Sequence, residues 1–179
     1  MAPYEIRVIG DPVLTQRASA VDDIDGRVAR LVEDMFTTMY DAPGLGLAAP
    51  QVGVQKRIFV YDDQEGLAGV LINPEIREAR GDWEHQEGCL SIPGLYFDVV
   101  RPKEILLVGH DLDGNEVQIE ADEMVARIFQ HELDHLDGVL MVERLDDDQR
   151  KQAKKAVREL QLQRAAAREA STAGGLRLP

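Results

Sequence analysis

The 179-residue chain has one cysteine, Cys89, so it can form no internal disulfide and fits a reducing compartment. It has no apolar run near the roughly 20 residues that a membrane-spanning helix needs. No charged-then-apolar leader with a small-residue cleavage site precedes the rest, and the start "MAPYEIRVIGDPVL" reads as that of a mature cytosolic protein. Positive charge is also in short supply. Twenty Lys/Arg against 33 Asp/Glu leave a net −13, which argues against nucleic acid as the main substrate, because phosphate binding needs a cationic face. The shortage is uneven: from Gln149 onward eight Lys/Arg face two Glu, so that segment carries +6 and residues 1–148 carry −19. Histidine is rare as well, with four in all. The placement of two of them therefore carries information.

What is present is enough for one globular domain with a proper core, at 44% hydrophobic residues, and too little for a second full domain. Val28, Leu31, Val32, Met35, Phe36 and Met39 form one apolar stripe, predicting a helix from about Asp25 to Tyr40 that stops at Pro43 and Gly44. A loop, "GLGLAAPQVG", follows, then two β-type runs, "KRIFVYD" and "GVLINPEI". The polar stretch "REARGDWEHQEG" leads to "CLSIPGLYFDVVRP". "EILLVGHDLDGNEVQIEA" reads as a hairpin turning at Asp113-Gly114-Asn115. A helix is expected from about Asp122 to Leu136 with Gly138 as its stop, and another from Asp146 to Ala170, rich in Ala, Arg, Lys and Gln. This order, without βαβ alternation, points to an α+β fold with mostly antiparallel sheet. The expected organisation is a catalytic body over residues 1–147, a basic helix over 148–170 and a flexible tail over 171–179.

In "QHELDHLDG", Gln130 to Gly138, His131 and His135 are four apart. On a helix that spacing puts them on one face with Cβ atoms roughly 6 Å apart, so both imidazoles can reach one cation. Glu132 lies about 100° round from His131, able to reach a water beside that cation. This is the His-Glu-x-x-His arrangement of metal hydrolases; the plainer alternative is an amphipathic helix whose histidines pack or face solvent. Two imidazoles leave a divalent ion short of a ligand. Many zinc peptidases carry a further histidine three residues after the glycine, but here that position is Met141. Glu143 is too near to fold back, and Glu159 sits in the basic tail. His85 lies in a polar, loop-like stretch and is expected to face water; His110, in the hairpin, is expected to be exposed or satisfied. Elimination leaves Cys89, Cys being either a thiolate ligand for Zn²⁺ or Fe²⁺ or a small buried hydrophobe. The candidate set is Cys89, His131 and His135, with water in the fourth position.

Three stretches taken together, "GLGLAAPQ" (Gly44 to Gln51), "EGCLS" (Glu87 to Ser91) and "QHELDHLDG", resemble the peptide deformylases in order and spacing, with "GDPVL" and "INPEI" alongside. The resemblance spans about residues 4 to 145. It implies mostly antiparallel sheets around a central His-Glu-x-x-His helix, with a C-terminal helix. The activity it implies is removal of the N-formyl group from the initiator methionine of new polypeptides in the bacterial cytoplasm, releasing formate. Cys89, His131 and His135 would then be the metal ligands and Glu132 the acid/base. Gln51 and the Leu90 N–H would be oxyanion donors, and Gly46 a backbone contact to substrate, with Gly44 helping the loop approach a peptide. The implied metal is Fe²⁺, although Zn²⁺, Ni²⁺ and Co²⁺ suit the same donors.

Other readings stay open at this point. Ile92, Leu95, Val125 and Ile128 either line a slot for the substrate's methionine or are plain core. Glu87 and Arg101 either form an ion pair bracing the cysteine loop or are ordinary surface charges. The strip "GLYFDVVRP" is more aromatic and less charged than in some bacterial relatives, which bears on the outer substrate contacts. Arg150, Lys151, Lys154, Lys155 and Arg158 belong either to a solvated helix or to a ribosome-docking element. A monomer with no membrane partner is expected. Two rivals remain: a small zinc endopeptidase, and a non-catalytic ribosome-associated protein with a structural metal site, which would have a fourth protein ligand and an indifferent Glu132.

Overall fold

The stripe from Val28 to Met39 folds as helix α1 (Gly26–Asp41) in the computed structural model, which describes residues 4–174, with side chains through residue 167. Asp25 caps it, its carboxylate accepting from the N–H groups of Arg27 at 2.9 Å and Val28 at 3.2 Å. These are donors that a first helical turn leaves unpaired. The Gly/Ala/Pro stretch that follows, expected as loop, instead forms a short strand β1 (Gly46–Ala48) and a 3-10 turn (Ala49–Val52), all inward-facing after Gly46.

Strands β2 (Ile58–Asp62) and β3 (Ala68–Arg80) come next, then β4 (Trp83–Cys89), β5 (Ile92–Arg101), β6 (Glu104–His110) and β7 (Glu116–Asp122). Two sheets result, one of five strands in the order β1-β2-β3-β6-β7 and one of two, β4-β5. Every pairing within them is antiparallel. The β6–β7 turn is where the sequence puts it: Asp111 accepts from the N–H groups of Asp113 and Asn115, each at 2.9 Å. The polar stretch before Cys89 departs from the loop reading, since Trp83 to Gly88 pair residue by residue with β5.

Helix α2 (Glu123–Leu136) sits between the two sheets. Its apolar side, Ala126, Ile128, Phe129 and Leu136, packs with Phe59, Tyr61, Leu71, Ile105 and Leu107 of the larger sheet. The Phe129 ring meets Tyr61 edge-on at 4.7 Å and Phe59 at 5.8 Å. Each such side chain contributes about 1.5–3 kcal/mol on full burial. Its polar side, including Arg127, His131, Glu132, Asp134 and His135, is also buried, beneath the β4–β5 hairpin. Gly138 ends the helix at φ +73°, and a Cβ there would come within 2.9 Å of the Thr15 and Gln16 backbone. Only glycine fits.

Helix α3 (Asp147–Gly174) docks rather than floats. Ala153 is buried with Val99 and Leu145, Val157 packs on the cluster of Leu14, Ile92, Leu140 and Met141, and Gln161 donates to the Ile9 carbonyl at 3.2 Å. The helix runs a few residues beyond the expected end, taking in residues 171–174 of the segment expected to be flexible; 175–179 lie outside the described residues. The fold is α+β. No described helix is long and apolar enough to cross a membrane.

Candidate metal centre

Cys89 closes β4, where the pairing with β5 slips between Gly88 and Cys89. His131 and His135 rise one turn apart on α2, their rings 4.9 Å apart and nearly perpendicular. The three donor atoms all lie within 4.8 Å of one another, with Cys89 Sγ 3.2 Å from His135 Nε2. Ser91 N–H points at the sulfur at 3.4 Å.

The two imidazoles are held differently. His131 Nδ1–H donates to Glu87 Oε1 at 2.6 Å, which leaves Nε2 with its lone pair free for a metal. Glu87 is 5% exposed and also accepts from Arg101 Nε at 2.7 Å, Arg101 Nη2 at 2.6 Å and Arg127 Nη1 at 2.9 Å. Burial alone would raise the Glu87 pKa, but Arg101 and His131 outweigh it and hold the carboxyl well below the usual range. Arg101 continues to Asp134 at 2.9 Å, and Asp134 to Arg144. The Glu87–Arg101 pair is thus a buried core element rather than surface charge. Sequence reasoning missed Arg127 and Asp134. Their signal was position, since both lie on the His131 face of the helix, four before it and three after it.

Burial opposes charge on both histidines. For His131, Cys89 and Glu87 override it and push the pKa well up; for His135, burial and the charge of His131 push it well down. The pocket therefore favours one positive charge between thiol and carboxylate, and neutral imidazole at His135. A divalent cation on Cys89, His131 and His135 fits both demands.

Glu132 is 4% exposed, its Oε2 has no hydrogen-bond partner among the described residues, and burial raises its pKa to about 7. It fills the space that Gly46 leaves: a Cβ on Gly46 would lie 2.8 Å from Glu132 Cδ and closer still to Oε1. Gln51 is 1% exposed and oriented by the start of its turn, since Ala48 N–H donates to Oε1 at 2.8 Å. This turns Nε2 towards Ser91 Oγ at 3.1 Å and Cys89 Sγ at 3.9 Å.

These groups line a cleft of about 630 Å³. The sequence matches the polypeptide deformylase family over residues 3–151. The chain belongs to that family. A peptide deformylase from Acidothermus cellulolyticus is 47% identical over 159 residues, covering 89% of this chain and 88% of that one. The crystal structure of peptide deformylase from Thermus thermophilus superposes with a TM-score of 0.84 at 42% identity, over 89% of this chain and 98% of that one. A peptide deformylase from Synechococcus elongatus, in complex with actinonin, gives 0.80 at 42% identity, over 89% and 84%. Like other deformylases, this chain is a metallohydrolase.

Of the residues predicted for the deformylase cleft, Gly44, Gly46, Gln51, Cys89, Leu90, Leu95, Ile128, His131 and Glu132 border it. His135 sits behind His131, 1% exposed. Ile92 and Val125 do not border it. Ile92 is fully buried with Leu14 and Met141, and Val125 packs on the α2 core. His85 is exposed and stacks on Trp83. His110 lies outside the donor cluster. The downstream alternatives also fall away: Met141 is 1% exposed in the core, Glu143 accepts from Leu140 N–H at 3.0 Å, and Glu159 is exposed on α3. Among the described residues the donor cluster has three members and no fourth protein ligand.

Proposed function

We propose that this cleft carries out the family's reaction, hydrolysis of the N-formyl group on the terminal methionine of newly made polypeptides, with Cys89, His131 and His135 as ligands and Glu132 as acid/base. The observation that carries the assignment is the convergence of one sulfur and two imidazoles beside a buried carboxylate. A divalent metal held there supplies Lewis acidity, making water more acidic and polarising a carbonyl oxygen. Glu132 takes a proton from the attacking water at a carboxylate oxygen and returns it to the departing amine nitrogen. Its pKa of about 7 suits both halves of that transfer. Water adds to the formyl carbon, the C–N bond breaks, and formate and the free amine leave. Gln51 Nε2 and the Leu90 N–H donate to the oxyanion of the tetrahedral intermediate, each such donor typically giving about 10² to 10³ in rate. Gly44 and Gly46 let the substrate backbone lie close. Leu95 and Ile128 supply the apolar side of the methionine slot, with Ile92 and Val125 in the packing around it.

Fe²⁺ is the metal we assign, with Zn²⁺, Ni²⁺ and Co²⁺ able to replace it on the same donors. Metal analysis of protein purified without oxygen, followed by exchange, tests this; fully active zinc-bound protein would overturn it. We infer further that the enzyme acts on nascent chains in the cytoplasm and is a monomer, with the basic face of α3 as the element facing the ribosome. The decisive experiment is Glu132→Ala assayed on formyl-Met-Ala, with and without a chelator. Loss of at least about 10²-fold is expected, and near-wild-type turnover would end the mechanism. Cleavage of internal bonds in an unformylated peptide would favour an endopeptidase instead.

A further inference from the structure

β4 and α2 run side by side, and their contacts advance in step. Trp83, His85 and Glu87 alternate along one face of β4, and Cys89 follows at the slip in the pairing. On α2 the matching face carries Arg127, His131 and His135. Four helical residues rise about 6 Å and two strand residues about 6.6 Å, so one step along each element leads from the first contact to the second. Cys89 meets His135 at 3.2 Å and Glu87 meets His131 at 2.6 Å. Arg127 closes the far end, giving Nη1 to Glu87 Oε2 at 2.9 Å and Nη2 to the Trp83 carbonyl at 2.8 Å, with its guanidinium 4.9 Å from the Trp83 ring centre.

Arg127 is 3% exposed, a position arginine rarely takes. Glu87 already has a two-point pair with Arg101, which Arg101 shares with Asp134. What Arg127 adds is a clamp: it grips β4 at two points, one on the carboxylate that holds His131 and one on the backbone six residues before Cys89.

We propose that Arg127 is a positioning residue for the metal centre, fixing Glu87 and the start of β4 so that His131 and Cys89 hold their places towards one ion. It borders the cleft but is not one of the three donors, and acts through Glu87 and the strand. The proposal rests on the assignment of Cys89, His131 and His135 as ligands.

The test is Arg127→Met, which keeps the apolar stem and drops the guanidinium, and Arg127→Lys, which keeps the charge and one bond. Both are read in the holoenzyme by the rate of metal loss to a chelator and by kcat and KM on formyl-Met-Ala. Arg127→Met is expected to release metal at least about tenfold faster and to lower kcat about tenfold, with KM within about twofold, the usual scale for outer groups around a metal. Arg127→Lys is expected to recover part of both. If folded Arg127→Met only melts earlier, while its metal release and kcat match wild type, Arg127 is ordinary packing and the proposal fails. Should Arg127→Met not fold, Arg127→Lys decides alone: about threefold faster release supports the clamp, and wild-type release overturns it. Wild-type protein that holds no stoichiometric metal would instead remove the ligand assignment beneath it.

Discussion

Gly46 shows how much one missing carbon can matter. Glu132 occupies the volume that any side chain at 46 would claim, so Gly46→Ala must displace either the strand or the Glu132 carboxylate, the acid/base proposed above. Displacement of a reacting group by about 1 Å commonly costs about 10² in rate. We expect kcat for Gly46→Ala to fall by about that factor while bound metal per chain stays the same; a variant with wild-type turnover would show that Glu132 need not sit where it does. Glu87 is the opposite kind of residue, remote from substrate and heavily bonded. Glu87→Gln keeps the shape and removes the charge, leaving the buried Arg101 and Arg127 short of their partner. Breaking a buried pair from one side typically costs about 3–5 kcal/mol. A correspondingly lower denaturation midpoint with an unchanged denaturant slope is expected, and no change in midpoint would mean that solvent reaches this network. Both residues were quoted in the sequence motifs, and the Glu87–Arg101 pair was one of two open readings there, but the clash at Gly46 and the bonds of Glu87 to Arg127 and His131 join parts of the chain 40 or more residues apart.

Among the elements, those whose burial is apolar were legible. The stripe of α1, the β6–β7 arms and the helix carrying both histidines all follow the rule that one face goes inward, and their ends agree closely with their caps and turns. β4 did not follow it. Its one buried residue, Glu87, is satisfied by arginines of β5 and α2 rather than by hydrocarbon, so no alternation of apolar residues announced a strand. The strip after Cys89 misled for a related reason: Ile92 faces the core while Leu95 faces the cleft, and composition cannot separate two apolar surroundings. α3 was legible as a helix but not as a docked one, because Ala153 and Val157 are small and few. Its contacts stop short of the cleft, to which none of its described side chains contributes. Truncation after Asp146 is therefore expected to cost about 2 kcal/mol, the scale of burying one valine, and to leave kcat and KM on formyl-Met-Ala unchanged. A large rise in KM would place α3 nearer the substrate than its packing does.

Over the whole molecule, charge is what the fold leaves most unevenly shared. A body of −19 carries a C-terminal segment of +6, and α3 keeps Ala153 and Val157 against the body while Lys151, Lys154, Lys155 and Arg158 remain exposed. Arg150 differs, its guanidinium donating to the carbonyls of Glu143 and Leu145. RNA would meet repulsion over the body and attraction along one helix, so docking on a ribosome through α3 would be oriented by exclusion as much as by contact. Such binding has a measurable form. Neutralising three to five phosphates gives a slope of log affinity against log salt of about −2 to −4. Replacing Lys154, Lys155 and Arg158 by Gln is expected to flatten that slope and abolish co-sedimentation at moderate salt, with turnover of free formyl-Met-Ala intact because none of the three borders the cleft. If a chain truncated after Asp146 sediments with ribosomes as the full chain does, α3 is a solvated helix and the uneven charge has another cause.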